Sequence, residues 1–94
     1  MDIINRIKDE EEKIKLARNY LQEMIDKSNN AMKVNRNKRD DSYNFECFFL
    51  TDRVLFNIPF KTICNIFIDI TIDNIKSEID KYIIQKIYAS YWAE

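Results

Sequence analysis

The sequence of 94 residues contains no histidine and no glycine. Histidine is the side chain that most often acts as general acid or base near neutral pH, and it is a common metal ligand. Its absence excludes serine–histidine, cysteine–histidine and histidine–metal chemistry within this chain. Glycine lets a backbone close around a phosphate, so P-loops and dinucleotide-binding loops are excluded too. We therefore expect no enzyme activity, no metal and no cofactor, and a protein that acts by binding.

Cysteine and proline are scarce, with two cysteines and one proline. Cys47 and Cys64 lie in apolar runs without CxxC spacing, which is typical of buried, reduced thiols in a cytosolic protein. No apolar run approaches the roughly 18 residues that a membrane-spanning helix requires. We expect no membrane association and a location in the cytoplasm of the producing or host cell.

What the sequence does contain is ordinary for a globular protein: 46% hydrophobic and 33% charged residues, with a net charge of −1. This composition supports one domain over residues 1–94 with one hydrophobic core. A net charge near zero gives no general attraction to nucleic acid or anionic membranes. Any site for a polyanion must therefore be a local patch.

The two ends of the chain carry helical patterns. Apolar residues recur at three- and four-residue spacing from Asp2 to about Ala31 and again from Asn74 to Trp92, with charged residues between them. The intervening residues 33–44 are polar and lack periodicity, which predicts a mobile loop. The sequence therefore predicts a long N-terminal helix and a C-terminal helix.

Two short apolar runs, Phe45–Leu50 and Arg53–Ile58, flank Thr51-Asp52 and predict a β-hairpin. Pairing Leu50 with Arg53 gives one fully apolar face and one mixed face, as a half-buried hairpin requires. The apolar face comprises Phe45, Cys47, Phe49, Val54, Phe56 and Ile58.

Residues Cys64–Asp73 alternate between apolar and polar side chains, which favours a third strand that follows the hairpin. The same residues also fit a helix, because one face would then carry a polar stripe of Thr62, Asn65, Asp69 and Asp73. The predicted fold is α+β: a long N-terminal helix, a three-stranded antiparallel meander and a C-terminal helix. The alternative is a helix, a β-hairpin and two helices.

The predicted element order resembles that of double-stranded-RNA-binding domains in topology alone. Those domains carry a lysine-rich start to their second helix, whereas residues 73–78 here (DNIKSE) are mixed to acidic. The function of that family is therefore not carried over.

Tyr88, Tyr91 and Trp92 form an aromatic set at helical spacing near the C-terminus. Tyrosine and tryptophan dominate protein-binding hot spots, and they also fill cores. We take these three residues as the candidate partner-binding surface, with core packing as the alternative.

A basic cluster lies in the predicted loop, where it could contact a polyanion or an acidic protein surface. Its members are Lys33, Arg36, Lys38 and Arg39. Asp40 and Asp41 follow directly and cancel half of the charge, so a solvated loop is the alternative.

The first helix is longer than the sheet that it would cover, which favours a homodimer formed partly through Ile7, Ile14 and Leu21. A frayed, solvated first turn is the alternative. A further apolar patch of Phe48, Leu55 and Phe67 is expected on the outer sheet face, unless a helix covers it.

These features favour a small protein-binding module, an inhibitor or regulator that occludes a host protein. Viruses and mobile elements produce many proteins of this kind against host defence systems, anti-CRISPR proteins included. A nucleic-acid-binding or transcription-regulating dimer that uses the basic cluster is one alternative. A structural or assembly subunit is the other.

Overall fold

A computed structural model describes the backbone of residues 3–67 and 69–93 and the side chains from Asp9 onward within these ranges. A long helix opens the fold, three strands follow, and two helices separated by a 3₁₀ turn at Ile72–Asn74 complete it. In chain order the elements are α1 (Ile3–Asp26), β1 (Met32–Asn37), β2 (Ser42–Phe49), β3 (Asp52–Pro59), α2 (Phe60–Ile66) and α3 (Ile75–Trp92).

The strands form one antiparallel meander in the order β1-β2-β3. Asn37 pairs with Ser42 across the first turn, and Phe49 pairs with Asp52 across the second. The second turn therefore has only two residues, Leu50 and Thr51. The predicted α+β class is confirmed: the chain has a long helix, a three-stranded antiparallel sheet and a C-terminal helix.

The hairpin of β2 and β3 has the predicted faces, with a register shifted by two residues. Phe45 pairs with Phe56 rather than with Ile58, and the two rings stack with centroids 5.1 Å apart. Because side chains alternate with period two, this shift keeps the same apolar residues on the same face. Phe45, Val54 and Ile58 are buried there.

The prediction of a mobile loop over residues 33–44 is wrong, because Met32–Asn37 form β1 and β2 begins at Ser42. Only Val34 of β1 is buried. A strand with a single buried side chain at the edge of a sheet has no alternating apolar pattern, so its sequence resembles a loop.

The strand predicted over Cys64–Asp73 is also wrong. Residues Phe60–Ile66 form the short helix α2, and its turns bury Phe60 and Ile63, with Phe67 buried just beyond its end. Burying three apolar side chains at three- and four-residue spacing favours a helix over a strand. Residue 68, within the predicted strand, lies outside the described residues.

Helix α1 ends at Asp26, five residues earlier than predicted, and the predicted first residue, Asp2, lies outside the described residues. Beyond the helix, the Asn29 side-chain oxygen accepts hydrogen bonds from the backbone N–H groups of Ala31 (2.7 Å) and Met32 (3.1 Å). Such side-chain-to-backbone bonds compete with helical ones and favour a turn. They lead the chain directly into β1.

Helices α1 and α3 pack on one face of the sheet, α1 against β1 and α3 against β3. Leu21 of α1 and Ile79 of α3 join the inner-face side chains in one continuous core. The Tyr20 hydroxyl donates a 2.6 Å hydrogen bond to Asp80, which ties the two helices together. Burial and this bond raise the pKa of Tyr20 to about 12.

The outer face of the sheet carries a row of asparagines. Asn57 donates to the side-chain oxygen of Asn44 (2.8 Å), and Asn44 donates to that of Asn35 (3.2 Å). This row crosses all three strands and satisfies amide groups on a face that α1 and α3 do not cover.

Candidate functional site

An aromatic cluster closes the end of the sheet at the β2–β3 turn. Phe49, the last residue of β2, contacts two tyrosines of α3 edge-on, with ring centroids 5.0 Å from Tyr88 and 4.8 Å from Tyr91. Trp92 packs edge-on against Tyr91 at 5.1 Å. Edge-to-face contacts at these distances are favourable between aromatic rings. We call Phe49, Leu50, Tyr88, Tyr91 and Trp92 the aromatic end.

The structure thus brings the three predicted partner-binding residues together, and they differ in exposure. Tyr91 is half-buried, whereas Tyr88 is 48% exposed and Trp92 is 73% exposed. Helix α3 buries Ile75, Ile79 and Ile83 at four-residue spacing, which leaves Tyr88 and Trp92 on a different side of the helix. Tryptophan and tyrosine are among the residue types enriched in protein-binding hot spots.

Leu50 extends this apolar surface into the turn, and sequence reasoning missed it as a site residue. Its φ of 60° lies in the left-handed region, and its side chain is 76% exposed. A leucine in this conformation is an outlier, because its Cβ crowds the backbone there. The sequence offered no signal for it, since the predicted turn lay one residue later.

The expected patch on the outer sheet face is present only in part. Phe48 and Leu55 are both more than half exposed on that face. The third member, Phe67, is buried, because it follows α2 and packs into the core. Its assignment to an exposed patch is therefore wrong.

The four residues of the basic cluster do not form one surface. Lys33 lies on the outer face of β1, opposite Glu46. The Arg36 guanidinium lies 3.0 Å from the Asp41 carboxylate. Lys38 and Arg39 occupy the β1–β2 turn, exposed to solvent and without an ion pair within the described side chains.

The residues of the proposed oligomer helix also differ in burial. Leu21 is fully buried in the core of this chain, so it is not available to a second copy, and its assignment as an oligomer contact is wrong. Ile14 is partly exposed, and the side chain of Ile7 lies outside the described ones. Residues Asp9–Glu12 are all exposed.

An ionic clamp at the opposite end of the sheet was missed by sequence reasoning. Arg18 of α1 donates to both oxygens of Asp41, at 2.7 and 2.5 Å, and to the Tyr43 hydroxyl at 3.0 Å. The centre of its guanidinium lies 3.5 Å from the centroid of the Phe60 ring. The bonds from Arg18, then from Arg36, lower the pKa of Asp41 to about 2. No local pattern links an arginine and an aspartate 23 residues apart.

The remaining candidate chemistry is sparse. Cys47 is buried and Cys64 is half-buried, and burial raises the pKa of both thiols. Cys64 lines an open cleft of about 160 Å³ with Lys13, whose ammonium donates to the carbonyl of Phe67 and pairs with Asp9. In residues 3–67 and 69–93, no three His, Cys, Asp or Glu side chains converge to hold a metal ion.

No protein family, curated protein or solved structure was found to match this chain. Of the helices in the described part of the chain, none is both long and apolar enough to cross a membrane.

Proposed function

We propose that this chain is a non-catalytic protein-binding module that contacts its partner through the aromatic end. The observation that carries the proposal is Trp92, a large aromatic side chain that is 73% exposed on the last turn of α3. Leaving an indole in water forgoes the burial energy that such side chains supply in cores and interfaces. A partner surface would recover it.

The surroundings of Trp92 support a contact surface rather than an accidental exposure. The indole of Trp92 packs edge-on against Tyr91, and Tyr91 packs edge-on against Phe49. Two half-buried aromatic rings therefore support the exposed side chain. A side chain supported in this way loses little conformational freedom on binding. Exposed Tyr88 and Leu50 widen the surface beside it.

A module that binds without catalysing a reaction acts on its partner by covering part of its surface. We therefore extend the proposal to an inhibitor or regulator that occludes a functional surface of another protein. The proposed source class, viruses and mobile elements with products such as anti-CRISPR proteins, rests on size and composition alone.

Affinity capture from lysates of the producing or host cell tests the proposal. The bait proteins are the wild type, a Trp92→Ala/Tyr88→Ala variant and a control, Gln85→Ala/Lys81→Ala, which alters exposed polar residues of the same helix. We expect at least one protein to be captured by the wild type and the control and lost by the aromatic variant. With that partner purified, the Kd should rise about 30-fold or more, as hot-spot truncations of about 2 kcal/mol imply.

Thermal unfolding of the same variants separates binding from folding. Trp92 is 73% exposed, and Tyr88 is 48% exposed and packs against Phe49. We therefore expect the Trp92→Ala/Tyr88→Ala variant to unfold no more than about 10 °C below the wild type and to remain folded during capture. Equal capture of every protein by all three baits, with all three folded, would exclude the aromatic end as the binding surface.

A further inference from the structure

The three-stranded sheet has two unpaired edges. In the order β1-β2-β3, each outer strand has one neighbouring strand in the described part of the chain. On β1 the outer side of the backbone is partly occupied, because the Ser28 hydroxyl accepts a hydrogen bond from the N–H of Val34 (2.9 Å) and donates one to its carbonyl oxygen (3.2 Å). Proteins commonly protect such edges with covering loops, charges, prolines or short strands. The two edges of this sheet differ in that protection.

The edge of β1 is protected. The strand has six residues, MKVNRN, and it carries Lys33 and Arg36, with Lys38 and Arg39 in the turn that follows. In antiparallel pairing of two β1 strands, an axis at Lys33 or Arg36 would set like charges against each other, and an axis at Val34 or Asn35 would set Arg36 against an apolar side chain. Like charges across a strand pair are destabilising, so this edge disfavours association with its own copy.

The edge of β3 is open and apolar at its centre. Its eight residues, DRVLFNIP, place Val54, Leu55 and Phe56 in the middle, and the proline stands at the far end. Leu55 is 59% exposed on the outer face. Between β3 and the last turns of α3 lies a groove of about 110 Å³, lined by Val54, Leu55 and Tyr91 among others. This groove is too small to hold a strand, so a further strand would have to pair along the rim of β3 outside it.

We propose that β3 pairs antiparallel with β3 of a second copy, which joins the two sheets into one of six strands. In a continuous sheet, the inner face of one copy must adjoin the inner face of the other. Residues opposite each other therefore come from the same face, so the two-fold axis passes through a residue position and not between two residues. With the axis at Leu55, Leu55 faces its own equivalent, and Val54 faces Phe56 of the other copy. All three central pairs are then apolar.

Neighbouring registers are less favourable. An axis at Val54 would set Arg53 against Leu55 twice, and an axis at Arg53 would set two guanidinium groups against each other. An axis at Phe56 would set Leu55 against Asn57. The self-complementary register at Leu55 identifies a second copy of this chain as the occupant. It places the two aromatic ends at opposite ends of the six-stranded sheet, so the inference does not depend on the proposed function.

The solution mass measured by light scattering over a concentration series tests the association. We expect a dimer that dissociates on dilution. Leu55→Lys places two ammonium groups opposite each other at the axis and should raise the dissociation constant at least tenfold. The matched control is Leu50→Lys, which adds the same charge at another exposed leucine, in the turn, and should leave the dimer intact.

A disulfide tests the register independently of the effect of charge. In a Cys64→Ser background, with Cys47 buried, Leu55→Cys should form an intermolecular disulfide under mild oxidation, because strand partners lie about 4.5–5.5 Å apart between Cα atoms. Arg53→Cys should not, since its equivalent would lie four residues along the strand, roughly 13 Å away. A monomer at every concentration, or equal cross-linking of the two variants, would overturn the proposal.

Discussion

The two hairpin turns of this sheet each contain a non-glycine residue with positive φ, and their surroundings are opposite. In the β1–β2 turn the residue is Asp41, with φ 54°, and Arg18 and Arg36 hold its carboxylate. In the β2–β3 turn it is Leu50, with φ 60°, and its side chain is 76% exposed. Both conformations carry a backbone cost, since the left-handed region crowds a Cβ.

At the first turn the structure offsets that cost. Aspartate tolerates the left-handed region better than most residues, and its carboxylate joins α1 to the sheet through Arg18. At the second turn no such compensation accompanies the leucine. The two-residue turn itself demands the positive φ of Leu50, whereas the exposure of its apolar side chain is the feature that a partner would use under our proposal. The comparison thus places a stabilising ion pair at one end of the sheet and the proposed binding surface at the other.

The largest expected effect comes from removing the clamp. Arg18→Ala removes the hydrogen bonds to Asp41 and Tyr43 and the contact with the Phe60 ring. We expect the free energy of unfolding to fall by about 2–3 kcal/mol. Urea denaturation measures this loss as a lower midpoint with an unchanged slope.

The matched control for the clamp is Arg53→Ala. Arg53 also pairs with a carboxylate, that of Glu46 at 3.3 Å, but its side chain is 59% exposed. Exposed pairs contribute about 0–1 kcal/mol, so the control should be close to neutral. Equal destabilisation by the two substitutions would contradict a special role for Arg18 in holding the first turn.

Acid should weaken the same end of the sheet. The pKa of Asp41 is lowered from 3.8 to about 2 in the folded state, so its stabilising contribution is present above about pH 4 and lost as the pH falls towards 2. The Asp41 side chain is 43% exposed. After allowance for solvent screening, the contribution is about 1 kcal/mol.

Asp41→Asn isolates this contribution, because asparagine also tolerates the left-handed conformation and does not titrate. We expect the fall in stability between about pH 5 and pH 2.5, measured by urea denaturation, to be about 1 kcal/mol smaller in this variant than in the wild type. Asp40→Asn is the control, since Asp40 accepts a hydrogen bond from the Ser42 hydroxyl rather than from an arginine. An unchanged pH response in Asp41→Asn would show that other carboxylates govern acid unfolding.

The contrast between the two turns also explains which parts of the fold the sequence could predict. The faces of β2 and β3 follow from alternation, whereas their register depends on the turn. Leu50 adopts a conformation typical of glycine or asparagine, so a two-residue turn at Leu50-Thr51 carries no sequence signal. The polar stripe that includes Thr62 and Asn65 predicts a helix here, but the alternation over Cys64–Asp73 fits a strand as well. The deciding feature, the burial of Phe60, Ile63 and Phe67, belongs to the folded core.

The sequence predicts those parts of the candidate site that are formed by neighbours in one helix, and it does not predict the contacts between distant elements. Tyr88, Tyr91 and Trp92 are neighbours on one helix, so their association follows from helical spacing. Their contact with Phe49 depends on the tertiary path of β2, which local spacing does not encode. Proximity in sequence predicts one basic patch, yet alternation along β1 places Lys33 opposite Glu46 and Arg36 beside Asp41.

The smallest expected effect on stability is a gain at the second turn. Leu50→Gly removes the Cβ that crowds the left-handed backbone, and the greater freedom of glycine in the unfolded chain offsets part of that relief. We therefore expect the free energy of unfolding to rise by about 0.5 kcal/mol. Leu50→Ala keeps the Cβ and should give no such gain, as urea denaturation of the two variants would reveal.

Binding should respond differently, because both substitutions remove the exposed isobutyl group. If Leu50 is part of the contact surface, Leu50→Gly and Leu50→Ala should both weaken partner capture, although only the former stabilises the fold. If one substitution stabilises the fold and weakens partner binding, the original residue contributes to binding at a cost in stability. If Leu50→Gly gains stability and retains full capture, the conformation of Leu50 is unrelated to binding, and the aromatic end is reduced to Phe49 and the α3 residues.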